Sequence, residues 1–324
     1  MEKRIYISAT AHLDTTWLWT LRNTIERYLP ETFERNFSLF EKYPDYRFSF
    51  EGSYRYELIE EYYPEAFEKL KKYVDEGRWC PAGSCYENGD VNVPSPEALI
   101  RNILYGTLYF KDIFGKTSND IYLPDCFGFG AALPSVAAHC GLKGFVTGKL
   151  TWGSANGVPF DLGKWYGNDG SFVFAALKPG DYVRSFPSIR DNKECTDKLE
   201  DNIKKYDLPW TYLYHGAGDR GGAPSEYSVK NVSDEIKKND VSDIKVLPVS
   251  SSRIFDDLSA LPKENIEKLP EWRGELLMTE HGTGSYTSRA IGKRWNRRNE
   301  QLADAAEKAA VCAHYLRGDR KSVV

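Results

Sequence analysis

His12 and Asp14 stand at the end of the expected first strand, in the run Ile5-Tyr6-Ile7-Ser8-Ala9-Thr10-Ala11-His12-Leu13-Asp14-Thr15-Thr16-Trp17-Leu18-Trp19. Side chains alternate along a strand with period two, so a His-x-Asp pair at a strand end turns an imidazole and a carboxylate to the same side. Nitrogen and carboxylate oxygen together form a donor set for a zinc-like divalent cation, at roughly 2.0–2.2 Å from each atom. Read alone, such a pair is an ordinary hydrogen-bonded couple. A second motif far downstream, Tyr122-Leu123-Pro124-Asp125-Cys126-Phe127-Gly128-Phe129-Gly130, again sets a carboxylate, Asp125, where a strand runs out. The indoles of Trp17 and Trp19, close after the first pair, offer flat apolar faces on which a sugar ring could stack.

Strand–helix alternation is what would position these residues. Strands are expected at Ile5–Ser8, Arg47–Phe50, Arg78–Pro81, Ile121–Leu123, Gly144–Thr147, Thr211–Tyr214 and Ile244–Leu247. Helical patterns lie between them at Thr24–Lys42, Pro64–Glu76, Pro96–Phe114, Lys193–Lys205 and Glu226–Lys238, and Pro64 and Pro96 suit a first-turn position. Asn168-Asp169-Gly170 between two apolar runs reads as an inserted hairpin. This alternation predicts an α/β fold, a seven-stranded parallel β/α barrel with functional residues at the carboxyl ends of its strands. His12, Asp14, Asp125 and the loop holding Asp219 all fall at such ends. Their shared placement says more than any one motif.

Composition narrows the function. The chain has 324 residues, with 43 Lys and Arg against 47 Asp and Glu, and no basic block of the kind a nucleic-acid surface needs. Aromatic residues make up 14%, with eight Trp and 21 Tyr, which serves either an aromatic core or a carbohydrate cleft. No segment approaches the ~20 apolar residues of a membrane span, and Met1-Glu2-Lys3-Arg4 lacks the apolar stretch of a signal peptide. Cys80, Cys85, Cys126, Cys140, Cys195 and Cys312 form no CxxC pair. Free thiols in a reducing, cytoplasmic setting are expected.

After Trp272 the pattern changes. Arg289–Tyr315 is one long helical stretch with no strand after it. The expected organisation is a barrel domain over 1–273, the start of a truncated helical bundle over 274–318, and an artificial tail over 319–324. The last six residues, Asp319-Arg320-Lys321-Ser322-Val323-Val324, match a translated reading frame of a common sequencing adapter.

Five ordered motifs carry a resemblance. Ala11–Trp19 and Leu123–Gly128 are similar to the two signature motifs of the glycoside hydrolase family 38 α-mannosidases. So are Asn88-Gly89-Asp90-Val91-Asn92-Val93-Pro94-Ser95, Gly218-Asp219-Arg220-Gly221-Gly222-Ala223-Pro224 and Gly284-Ser285-Tyr286-Thr287-Ser288. The resemblance spans nearly the whole chain. It implies a β/α barrel followed by a helical bundle, and a retaining, exo-acting α-mannosidase that uses one zinc ion and acts on mannose-containing oligosaccharides.

Carried over residue by residue, the resemblance makes His12, Asp14 and Asp125 zinc ligands and Asp125 also the nucleophile. Asp219, in its glycine-rich loop, becomes the candidate general acid. Trp17 matches the sugar-stacking tryptophan, Phe127 an aromatic beside the nucleophile, and Asp90, Asn92, His281 and Tyr286 are expected near the cleft. The family's fourth zinc ligand, a histidine of the bundle, has no match before the chain ends. His281 is shifted by about one residue from a family histidine and is not assigned to the metal. His139 and His215 read as local structural residues or as supports behind the site, and His314 as a helix-surface residue. A metal-dependent carbohydrate deacetylase and an inactive sugar-binding fragment remain alternatives, although no His-x-x-x-His spacing supports the first.

Overall fold

The computed structural model describes residues 1–317, so residue 318 and the proposed artificial tail over 319–324 lie outside it. The elements begin with β1 (Lys3–Ala11), α1 (Leu21–Asn23), α2 (Leu29–Lys42), β2 (Phe48–Glu51), α3 (Ser53–Tyr62), α4 (Pro64–Asp75), β3 (Trp79–Ala82) and α5 (Pro96–Phe114). They continue with β4 (Asp120–Tyr122), α6 (Leu133–His139), β5 (Gly144–Val146), β6 (Leu162–Tyr166), β7 (Phe172–Ala176), α7 (Lys193–Tyr206) and β8 (Trp210–Ala217). The last are α8 (Glu226–Ile236), β9 (Ile244–Pro248), α9 (Arg253–Ser259), α10 (Lys263–Lys268), β10 (Glu271–Arg273) and α11 (Ala290–Arg317).

β1 is the centre of one sheet. Ile5 through Ala11 are all buried, a continuous run suited to a strand covered on both faces. β8 pairs along one edge of β1, while β9 takes the first half of the other edge and β2 the second half. β3 extends the sheet beyond β2, and every pairing is parallel. The second sheet runs β10-β6-β7-β5-β4, and only its β6–β7 hairpin is antiparallel. Helix faces complete the core. On α2, Phe33, Phe37 and Phe40 recur at helical spacing and are buried. Phe37 and Phe40 meet Trp79 of β3, where Phe48, Phe50 and Tyr56 also converge. α5 starts on a Ser95 cap, whose hydroxyl accepts from the Ala98 N–H at 3.2 Å, and ends on Gly115 at φ 63°.

The expected seven-stranded parallel barrel is met only in its α/β, largely parallel character. The ladders form two five-stranded sheets and do not close. The sheets abut at both seams: Gly83, after β3, lies against Tyr122 of β4, and the Tyr214 N–H of β8 donates to Pro179 O beyond β7 at 2.9 Å. The Tyr122 hydroxyl also reaches Thr10 Oγ1 across the interior at 2.6 Å. Alternation in a sequence counts β–α units, but it does not say whether the edge strands of a twisted sheet hydrogen-bond. β10, three residues long and partly exposed, left no pattern to read.

The hairpin at Asn168-Asp169-Gly170 forms as the turn chemistry predicts. Asp169 Oδ1 accepts from the Ser171 N–H and from the Ser171 and Ser135 hydroxyls. α11 leaves Trp295, Leu302 and Val311 largely exposed. It meets α5 through Arg101, which grips Glu307 with two bonds of 2.5 and 2.8 Å. All six cysteines are free thiols. Among the described residues no helix is long and apolar enough to cross a membrane.

Candidate active site

The carboxyl ends of β1 and β8 are zipped together beyond their strands. The His12 N–H donates to Ala217 O at 3.0 Å, the Asp14 N–H to Asp219 O at 2.9 Å, and the Gly221 N–H to His12 O at 2.8 Å. Backbone pairing therefore brings the Asp14 and Asp219 segments side by side. Asp219 takes the left-handed conformation at φ 63°. Its neighbour Gly218 runs so close to Tyr182 that a Cβ there would lie 2.0 Å from the ring. Only glycine fits.

Asp125 arrives from the other sheet, on the loop after β4. His12 Nε2 lies 3.5 Å from Asp14 Oδ1 and 3.6 Å from Asp125 Oδ2. One ligand atom from each of the three residues can be chosen so that all lie within 4.8 Å of one another. Two atoms bound to one zinc-like ion at tetrahedral geometry are separated by about 3.4 Å, given bonds of roughly 2.1 Å. The spacing suits a shared ion. His12 Nε2 is buried without a hydrogen-bond partner, and a metal would satisfy it. The donor set of one imidazole and two carboxylates is also right for zinc. The residues fit the ion that the motifs imply.

Electrostatics point the same way. Burial opposes a charged imidazole, but the Glu51 carboxylate, aided by Asp14, outweighs it and raises His12 to about 10. The negative field that holds this proton would equally favour a cation. Asp125 divides its two oxygens. Oδ2 faces His12, while Oδ1 forms an ion pair with Lys149, a buried lysine on the turn after β5. The Lys149 ammonium lies 4.3 Å from the Trp152 ring, 5.4 Å from Phe127 and 5.7 Å from Tyr182. Tyr182 spans the site, with its ring edge-on to His12 at 5.3 Å and its hydroxyl donating to Asp219 Oδ1 at 3.0 Å.

The remaining expected residues divide into three groups. Phe127 and His281 form a wall with Trp152, the His281 ring lying 5.5 Å from Phe127 and 4.8 Å from Trp152. Among the described residues, His281 lies outside the group formed by His12, Asp14 and Asp125. Asp90, Asn92 and Tyr286 brace the loop after Asp125. The Asp90 carboxylate accepts from the Asn92 and Val93 N–H groups, while the Asn92 amide donates to Gly128 O at 2.7 Å and Tyr286 Oη at 3.1 Å. Trp17 is 58% exposed, with its ring edge against Trp19. Trp19 packs on Tyr28 and donates its indole N–H to Thr24, as a core residue would.

Glu51, Lys149 and Tyr182 escaped the sequence reading. Glu51 left a trace, as a carboxylate closing the aromatic strand Phe48-Ser49-Phe50-Glu51. Lys149 opens a four-residue 3-10 turn and Tyr182 lies in an irregular segment, both too short for periodicity to carry information.

The comparisons with known proteins agree with the motifs. The description "Glycosyl hydrolases family 38 N-terminal domain" matches residues 3–275. The chain is 32% identical over 318 residues to "Alpha-mannosidase G" of Dictyostelium discoideum, covering 98% of this chain and 28% of that protein. It is 31% identical over 304 residues to "Alpha-mannosidase 2C1" of Homo sapiens, covering 94% and 28%. The chain thus spans little more than a quarter of these relatives. In fold it is similar to a glycosyl hydrolase family 38 protein from Enterococcus faecalis, with TM-score 0.67, 21% identity and coverage of 99% of this chain and 34% of that one. An α-mannosidase from Enterococcus faecalis V583 gives TM-score 0.63 at 19% identity, covering 85% and 31%. A match over residues 3–275 makes this chain a member of glycosyl hydrolase family 38, of which it carries the N-terminal domain.

Proposed function

We propose that this domain is the catalytic part of a retaining, zinc-dependent exo-α-mannosidase acting on α-mannosides of oligosaccharides. The observation that carries this reading is the convergence of His12, Asp14 and Asp125, with the Asp219 loop bonded to the same backbone. His12, Asp14 and Asp125 would hold one zinc ion, with a fourth donor from outside these residues. Bound there, the ion would polarise sugar hydroxyls and favour a distorted ring.

In this reading Asp125 is the nucleophile. One carboxylate oxygen attacks the anomeric carbon and forms a glycosyl ester, and water later hydrolyses it with retention. The Lys149 ammonium on Oδ1 fixes the plane of the carboxylate. Asp219 protonates the departing glycosidic oxygen, then takes the proton from the incoming water. The Tyr182 hydroxyl occupies Asp219 Oδ1 and leaves Oδ2 to carry that proton. Trp17 at the exposed rim and the Phe127–Trp152 wall supply apolar faces for the sugar.

A slow fluorinated mannosyl donor tests the assignment in the intact enzyme. The label should appear on the peptide containing Pro124-Asp125-Cys126, with aryl α-mannosides hydrolysed and no acetate released from acetylated sugars. A label on another carboxylate would overturn the nucleophile, and acetate release without mannoside hydrolysis would overturn the reaction class.

A further inference from the structure

Glu51 is the last residue of β2 and is completely buried. The register pairs Ala11 with Phe50, so Glu51 stands beside His12 one step past the ladder. Its Oε1 meets His12 Nδ1, and its Oε2 has no hydrogen-bond partner. A buried carboxylate with one partner is costly to keep, and packing alone would be served by an apolar residue of similar volume. What the carboxylate adds is direction. With Nδ1–H engaged by Glu51, the opposite nitrogen faces Asp14 and Asp125.

The same segment grips the residue between the two candidate ligands. Arg55, in the first turn of α3, is 1% exposed and donates from Nε to Leu13 O at 2.8 Å, with a second bond from its NH2 group. Its other terminal nitrogen pairs with Glu87 Oε1 at 2.9 Å, and Glu87 Oε2 accepts from the Thr15 hydroxyl at 2.6 Å. Glu51 therefore holds the ring of His12, and Arg55 holds the backbone leading to Asp14. Both come from one short stretch of chain.

We propose that Glu51 is the positioning residue of this site: its carboxylate accepts the His12 Nδ1 proton and so aims Nε2 at the metal, with Arg55 locking the loop. The proposal rests on the metal reading above, and it is tested by two measurements that fail separately. In 15N-edited proton spectra of the metal-free chain, the His12 Nδ1 proton should lie far downfield and exchange slowly, and Glu51→Gln should abolish both features. In Co2+ titrations followed by absorbance, Glu51→Gln should weaken binding about 10–100-fold. On a His12→Ala background the same substitution should change nothing further. A purely structural role would lower the melting temperature yet leave Co2+ affinity intact. A His12 Nδ1 proton at an ordinary imidazole shift in the unaltered chain overturns the proposal without any variant, as does wild-type Co2+ affinity in a folded Glu51→Gln protein. If the chain takes no Co2+ while the downfield proton is present and depends on Glu51, the positioning stands and the metal reading falls.

Discussion

Two buried histidines stand on neighbouring strand segments of one sheet, and their surroundings are opposite. His12 lies just past the end of β1, facing the carboxylates of Glu51, Asp14 and Asp125. His215 lies within the β8 ladder, opposite Ala9 of β1. Its Nδ1 meets the Ser228 hydroxyl at 3.0 Å. That hydroxyl already accepts from the Phe186 N–H, which leaves its own proton for the ring. Burial disfavours charge on both imidazoles, and at His215 nothing opposes it, so the ring is lowered to about 3. At His12 the carboxylates reverse the sign and raise it to about 10. Burial alone therefore does not set the charge of an imidazole; the carboxylates that converge on one past a strand end do.

The sharpest way to break this contrast is to remove each ring. His12→Ala should reduce the zinc content of the intact enzyme from near one equivalent to near none, and of this chain, which binds the ion more weakly, from a smaller fraction to none, because it removes the buried nitrogen of the donor set. His215→Gln should keep wild-type content. Equal zinc in the His12→Ala and unaltered chains would discard the site.

β8 draws the same contrast within four residues, since His215 and Asp219 follow one another along its end. Asp219→Ala in the intact enzyme should slow natural mannosides roughly 10²–10⁴-fold, the range of a general acid. Aryl mannosides with acidic phenols should lose much less, because a good leaving group departs without a proton. The alkaline limb of the pH profile should flatten while the acid limb remains. Equal losses on both substrate classes would make Asp219 a turn residue.

The smallest effect is on stability. An unfolded histidine binds its proton near pH 6.5, whereas folded His215 does so only near pH 3. Between these values the unfolded chain binds the extra proton, so stability falls as pH drops from about 6.5 toward 3. At pH 4 this amounts to roughly 3 kcal/mol, at about 1.4 kcal/mol per pKa unit. Asp120, buried and raised to about 6, acts in the opposite sense, since folding favours its protonated form and adds stability as pH falls through that value. Asp120 is present in both proteins, so comparing the unaltered chain with His215→Gln isolates the histidine. Denaturant midpoints from pH 7 to 4 should fall less steeply for His215→Gln, and parallel curves would show that His215 does not carry the linkage.

Much of this molecule follows from local pattern. Continuous apolar runs gave β1 and β8, helical spacing gave α2 and α4, and Pro64, Pro96 and the Asn168-Asp169-Gly170 turn marked starts and reversals, because each depends on neighbours within a few residues. The motifs also brought His12, Asp14 and Asp125 forward, since strand ends and chemistry-bearing residue types are both visible in one dimension. What the sequence could not decide depends on contacts between distant segments. Whether the sheet closes depends on hydrogen bonds between edge strands. The partners of His12 and Asp125 depend on which side chains other strands deliver to the same few ångströms. Glu51 comes from β2, Lys149 from the turn after β5 and Tyr182 from an irregular loop. The motifs already set His12 apart from His215, but only the tertiary structure decides their opposite charge, because a carboxylate within hydrogen-bond reach in a low-dielectric interior outweighs the burial that both rings share.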